Sequence, residues 1–212
     1  AYPCIYLTLK DVNVDDYERM ATGFKSAVLD AYREHRYLLD SDKVYDDEKA
    51  RINDILYIRE DEEQLIKSIR ELSGYLYRQY EKPVMLFIDE YDVPIQAAYV
   101  EKYYEQAIKF LKNFYTTTFK DNPYLEKTVL TGVSRVAKES IFSGANNFKV
   151  FTVLDNEFAD DFGITSEEMD KVIEDFNVKE DKEEIKKWYD GYRIGNVEGI
   201  YNPWSILNYL TD

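Results

Sequence analysis

The chain has 212 residues, enough for one large domain or one domain with a small appendage. Hydrophobic residues make up 45%, with 20 tyrosines and 11 phenylalanines, which excludes a disordered chain and implies an aromatic-rich core. With 42 Asp and Glu against 27 Lys and Arg the formal charge is −15, a balance that favours solubility and argues against a broad nucleic-acid footprint.

The first apolar run, "PCIYLTL" at residues 3–9, reads as a short buried strand that starts almost at the first residue, as in a segment of a longer protein. Cys4 lies in this run, is the only cysteine, and reads as a small buried hydrophobe. Tyr17, Met20, Ala21, Phe24, Ala27, Val28 and Ala31 then recur at helical spacing. The only histidine, His35, follows; one His and one Cys do not make a zinc site or a Cys/His dyad. A shorter helical pattern centres on Ile52, Ile55 and Leu56. A clearer one carries Leu65, Ile66, Ile69, Leu72 and Leu76, with an acidic first turn at Asp61 to Glu63 that suits the helix dipole.

"VMLFID", Val84 to Asp89, reads as a strand buried on both faces, followed by an exit loop around Pro94. A helix is expected over about residues 101–119 and a second buried strand over Thr128 to Ser134. Alternating strands and helices predict a parallel sheet with crossover helices. After about Asn147 the pattern changes to small helices. Thr165 with Glu168 forms a capping box, a helix over about residues 182–189 is expected to stop at a left-handed Gly191, and Asn202 caps a helix that begins at Pro203. The expected organisation is an α/β core over residues 1–147 and a helical lid or subdomain over 148–212. No apolar run reaches about 20 residues and no signal-like segment opens the chain, so the expectation is a soluble cytoplasmic protein without membrane contact.

In open parallel sheets, ligands bind beyond the carboxyl ends of the strands. Asp89 and Glu90 fall at such an end. An apolar strand followed by Asp-Glu is the pattern of a Walker B element, in which the Asp holds Mg²⁺ and the Glu orients or deprotonates water. The plainer alternative is an exposed acidic loop after a core strand. At the next strand end, Thr131, Ser134 and Arg135 offer hydroxyl and guanidinium groups suited to phosphate oxygens or a polarised water; turn chemistry and a surface ion pair are their ordinary alternatives. Asp92 has no evident role beyond capping the loop before Pro94. A P-loop needs G-x-x-x-x-G-K-[ST], and none of the eight glycines is followed by Lys.

Six blocks occur in order: "YPCIYLTLKDV", "LFIDEYDVPI", "LTGVSRVAKESIFSGANNF", "DNEFADDFGITSEEM", "WYDGYRIG" and "IYNPWSILNYL". Together they resemble the predicted AAA-ATPase-like family, many of whose members also carry a PD-(D/E)XK nuclease-like domain. The resemblance implies a three-layer P-loop NTPase-like parallel sheet, with ATP and Mg²⁺ as ligands of the intact protein. It implies Asp89 as the metal-binding aspartate, Glu90 as the catalytic glutamate and Thr131 to Arg135 as the sensor region. The family's Walker A segment precedes the part matched here, so this chain by itself is not expected to bind ATP tightly. "IFSGANN" and "WYDGYR" are family hallmarks that read as turns and aromatic packing.

Two further readings stay open. One is a non-catalytic interaction or regulatory module derived from the ATPase fold. The other treats Asp89, Glu90 and Asp92 as a two-metal nuclease site, which the missing strand lysine and the negative charge disfavour. Without the P-loop strand, the sensor strand is expected to present an open edge, available for self-association.

Overall fold

Three strands lie parallel in chain order: β1 (Cys4–Thr8), β2 (Val84–Asp89) and β3 (Leu125–Leu130). The computed structural model describes residues 1–134, 141, 142, 148–176, 178 and 182–211. They fall into two compact units, Ala1–Asn147 and Phe148–Asp212.

In the first unit the strands are joined by α1 (Tyr17–Glu34), a 3-10 turn (Arg36–Asp40), α2 (Asp46–Leu56), α3 (Glu62–Tyr80), α4 (Val93–Val100) and α5 (Tyr104–Phe119). Asp16 starts α1 by accepting from the Arg19 amide at 2.8 Å, and Asp61 starts α3 in a reciprocal capping box with Gln64. Each helix then buries one stripe. Phe24 of α1 meets Phe110 and Phe114 of α5 at ring-centroid separations of 5.1 and 5.2 Å, all three fully buried. Tyr32 ties α1 to α3 by donating to the Ser68 carbonyl at 2.8 Å.

Because α1, α3 and α5 pack on one another, they cover the same face of the sheet. Ile5, Leu7, Val84, Leu86 and Ile88 point into that face and are buried. Side chains alternate along a strand, so their neighbours point the other way. There Tyr6 is 47% exposed and Val129 37%, with Met85 and Phe87 half-buried. The parallel α/β sheet with crossover helices is as expected, but the described residues of this unit make two layers where three were expected. The second face carries no helix among them.

Several local expectations are corrected by this one-sided packing. Cys4 is exposed, because it stands on the open face of an edge strand. β2 buries only alternate residues fully. β3 begins and ends earlier than expected and has no fully buried residue, since among the described residues it pairs with β2 alone. Residues 131–134 have already left the strand. The exit loop around Pro94 is the helix α4: a proline in the first turn sacrifices no intrahelical bond, so it opens a helix as readily as it marks a loop. The long helix after it starts at Tyr104.

The second unit holds α6 (Ser166–Asp175), α7 (Lys182–Tyr189), β4 (Asp190–Ile194), β5 (Val197–Tyr201) and α8 (Pro203–Thr211). Thr165 and Glu168 form the expected capping box. Asn202 Oδ1 accepts from the amides of Trp204 and Ser205 at 2.9 and 3.3 Å, as expected of an N-cap before Pro203. Met169, Ile185, Tyr201 and Ile206 form its buried core. This unit is not purely helical, however: β4 and β5 pair as an antiparallel hairpin. Gly191 is therefore no left-handed stop but part of β4, entered directly from α7. The glycine that turns left-handed to close the hairpin is Gly195, φ 53°, and Gly163 and Gly199 also have positive φ. No helix among the described residues is long and apolar enough to cross a membrane.

Candidate functional site

The polar residues singled out in the sequence gather at the carboxyl ends of β2 and β3. β2 is the middle strand, so Asp89 at its tip lies between β1 and the segment that follows β3. Asp89 stands on the open face of the sheet. Each of its oxygens meets one hydroxyl: Tyr6 of β1 donates to Oδ2 at 3.1 Å, and Thr131 donates to Oδ1. The Tyr6 phenol is held above its ordinary range by partial desolvation, then by this hydrogen bond and the Asp89 charge. It therefore remains a donor at any ordinary pH.

Glu90 follows in a left-handed conformation, φ 55°, which costs a residue other than glycine some strain. Its carboxylate is half-buried and takes no hydrogen bond among the described residues. The turn sends the Glu90 side chain away from the direction that a continued strand would give it. Asp89 and Glu90 can thus present carboxylates to different neighbours.

The main chain fixes the distance between the two loops. The Thr131 amide donates to the Ile88 carbonyl at 2.9 Å, and the Tyr91 amide donates to the Thr131 carbonyl at 3.1 Å. Tyr91 also donates its hydroxyl to the Ser134 carbonyl at 3.1 Å. Behind it, buried Tyr115 donates to the Tyr91 carbonyl at 3.4 Å, its own hydroxyl pushed up first by burial and then by Tyr91 and Asp92.

Asp92 is the third carboxylate of the stretch "IDEYD", after Asp89 and Glu90, and it is fully buried. Its Oδ2 accepts from the Ser134 amide at 2.6 Å and from the Gln96 side chain at 2.5 Å. It occupies the N-cap position of α4, yet its side chain makes no cap hydrogen bond, so its job is not the capping expected. Nor does it join Asp89 and Glu90 in a two-metal cluster: no group of three His, Cys, Asp or Glu among the described residues is placed to hold a metal ion.

The structure thus brings the Thr131 hydroxyl onto Asp89 and the Ser134 amide onto Asp92, at the turn that carries Glu90. Arg135 and residues 143–147 of the "IFSGANN" block lie outside the described residues. Tyr6, Tyr91 and Gly132 were missed. The strand alternation was the available signal for Tyr6, because it places Tyr6, opposite Phe87, on the same face as Asp89. The two side chains that hydrogen-bond the Asp89 carboxylate are both hydroxyls, so the groups shown here are oxygens, the ligand type a hard divalent cation takes.

No solved structure matches this chain. A protein of Azotobacter chroococcum mcd 1, described as "Uncharacterized protein in vnfD 5'region", is 32% identical over 125 residues, 58% of this chain. The aligned part is 24% of that relative's length, so the chain corresponds to about a quarter of it. A family model described as "Predicted AAA-ATPase" matches residues 1–142, which include both strand ends and the Asp89–Glu90 pair. The chain belongs to this predicted AAA-ATPase family.

Proposed function

We propose that the first unit is the metal-and-water half of an ATP-hydrolysing site, with ATP and Mg²⁺ as ligands of the intact protein. One observation carries the reading. Asp89, at the tip of the central strand, is oriented by hydroxyls from both neighbouring elements, and Glu90 beside it presents a carboxylate with no partner among the described residues. This is the division of labour of a Walker B pair.

Asp89 would hold the cation, with Thr131 and Tyr6 keeping its carboxylate in one orientation. Mg²⁺ held there would supply charge neutralisation for phosphoryl transfer. Glu90 orients a water and accepts its proton. Thr131 and Ser134 stand at the adjacent strand end, where hydroxyl donors would meet the terminal phosphate, and Arg135, the next residue in sequence, would add a guanidinium.

The phosphate cradle is the missing half, since none of the eight glycines is followed by Lys. A strand and helix carrying such a loop would have room against the edge of β3 that no strand among the described residues covers, and on the open face of the sheet. The competing occupant of that edge is a second copy of the chain, pairing strand to strand.

The test uses the full-length protein. Glu90→Gln is expected to lower ATP turnover by at least about 100-fold while ATP stays bound. Unchanged turnover in that variant would remove Glu90 from the mechanism. The 212-residue chain alone should show no micromolar affinity for MgATP in calorimetry; such affinity would overturn the split between halves. A full-length wild type with no ATP turnover would leave the non-catalytic module as the reading.

A further inference from the structure

Asp92 is a fully buried carboxylate with an unusual set of neighbours. One oxygen holds two donors, the Ser134 amide and the Gln96 amide group. The other, Oδ1, has no hydrogen-bond donor among the described residues. Burying a charged group with so few donors is costly, and an apolar side chain of similar size would avoid that cost. The hydrogen bonds formed by Oδ2 explain its presence better than stability does.

Gly132 gives the second, independent observation. A Cβ built on Gly132 would overlap Asp92 Oδ1 and come within 2.8 Å of Tyr91 Cε1. Only a residue without a side chain lets the segment after β3 lie flat against the Asp92 carboxylate. Between them, Asp92 and Gly132 fix where Thr131 and Ser134 run. Thr131 is the residue whose hydroxyl orients Asp89.

We propose that Asp92 is a positioning residue: it clamps residues 131–134 to the turn after β2, so that the Thr131 hydroxyl stays on Asp89 and Ser134 stays against the turn that carries Glu90. Gln96, one turn along α4, holds the clamp from behind, and Gly132 is its steric counterpart. The clamp couples the two strand ends into one rigid unit, independently of any bound ligand. Its consequence for turnover rests on the ATPase reading above.

Two measurements separate the clamp from that reading. In amide NMR of the 212-residue chain, Ser134 should be protected from exchange and shifted downfield by its carboxylate acceptor. Asp92→Ala should abolish that protection and move the Thr131 resonance, whereas Asp92→Asn, which keeps an acceptor oxygen, should retain most of both. A wild-type Ser134 amide that exchanges freely, or Ser134 and Thr131 signals unmoved by Asp92→Ala, would overturn the proposal. If Asp92→Ala does not fold, the Ser134 protection in wild type and in Asp92→Asn decides.

In the full-length protein, Asp92→Ala should lower kcat about 10- to 100-fold with KM for MgATP changed little, the signature of misplacement rather than lost binding. Asp92→Asn should recover most of that kcat. A merely structural role would lower the melting temperature in both variants and leave kcat per folded molecule intact. Absence of turnover in the wild type would refute the ATPase reading, and the clamp would then stand or fall on the Ser134 and Thr131 signals.

Discussion

Tyr6 and Asp89 are 83 residues apart in sequence and are joined by a 3.1 Å hydrogen bond, the phenol donating to Oδ2. The bond crosses from the edge strand to the central strand on the face of the sheet that no described helix covers. It makes the orientation of Asp89 depend on β1 as well as on Thr131, so the first unit must be folded before its carboxylate is aimed. Tyr6→Phe removes the donor without changing the ring. The expected outcome in the full-length protein is a few-fold higher Mg²⁺ requirement for turnover. The loss of stability should be no more than about 1 kcal/mol, because the site is exposed. Asp89→Asn should abolish turnover in the same assay.

The hydrogen bonds of His35 predict an acid-sensitive contribution to stability. Nε2 faces the Cys4 carbonyl at 3.1 Å, so it carries the proton, and Nδ1 accepts from the Tyr37 hydroxyl at 3.1 Å. Tyr37 in turn accepts from Tyr80 at 2.9 Å. Burial, the largest influence, lowers the His35 pKa below 6.5, although the Cys4 carbonyl and Glu34 pull it upward. The folded state therefore binds fewer protons than the unfolded state. The contribution of His35 is fully present above about pH 6.5 and is lost as pH falls through the folded value. Melting temperature followed from pH 7.5 to 5 should fall more steeply in the wild type than in His35→Gln; parallel curves would remove His35 as the cause.

Glu60 is almost fully buried, with 1% of its side chain exposed, and the Lys25 ammonium lies 3.8 Å from Oε1. Lys25 also donates to the Glu60 backbone carbonyl at 2.7 Å. Lys25→Met would leave the carboxylate buried without its countercharge. The expected cost lies toward the lower end of about 3–5 kcal/mol, because Lys25 is itself partly exposed. Urea denaturation should show this loss, and adding Glu60→Gln to the variant should recover most of it.

Phe24 is the hinge of the aromatic core between α1 and α5, touching both Phe110 and Phe114 edge to face. Phe24→Ala should cost about 3–5 kcal/mol, because the rigid rings around it cannot collapse into the space left. Denaturation followed by far-UV circular dichroism would register it as a lower urea midpoint.

The second unit can be probed separately through its helix cap. Thr165 accepts from the Glu168 amide at 3.2 Å, and Glu168 returns a bond to the Thr165 amide at 2.9 Å. Thr165→Ala should destabilise α6 by about 1 kcal/mol and speed amide exchange in its first turn. Exchange in α1 and α3 should stay as in the wild type.

Much of this protein was legible in the amino-acid sequence, wherever local chemistry suffices. The helical stripe through Phe24 and Val28, the acidic start at Asp61 to Glu63, the Thr165–Glu168 box and the Asn202–Pro203 start each depend on residues within a few positions of one another. The run Val84–Asp89 was legible as a strand, and the Asp89–Glu90 pair as its polar tip, because apolar residues followed by carboxylates carry that contrast along the chain. Tertiary structure decided the rest. Which strand face is buried depends on which helices cover it, so Cys4 and Val129 are exposed although their neighbours are apolar. Pro94 suits a loop and a first helical turn equally well, and packing of α4 against α5 settled it. Asp92 had no readable role, because its partner Ser134 is 42 residues away and only β2–β3 pairing brings them together. Gly132 reads as an ordinary loop glycine until that pairing places the Asp92 carboxylate where its side chain would be.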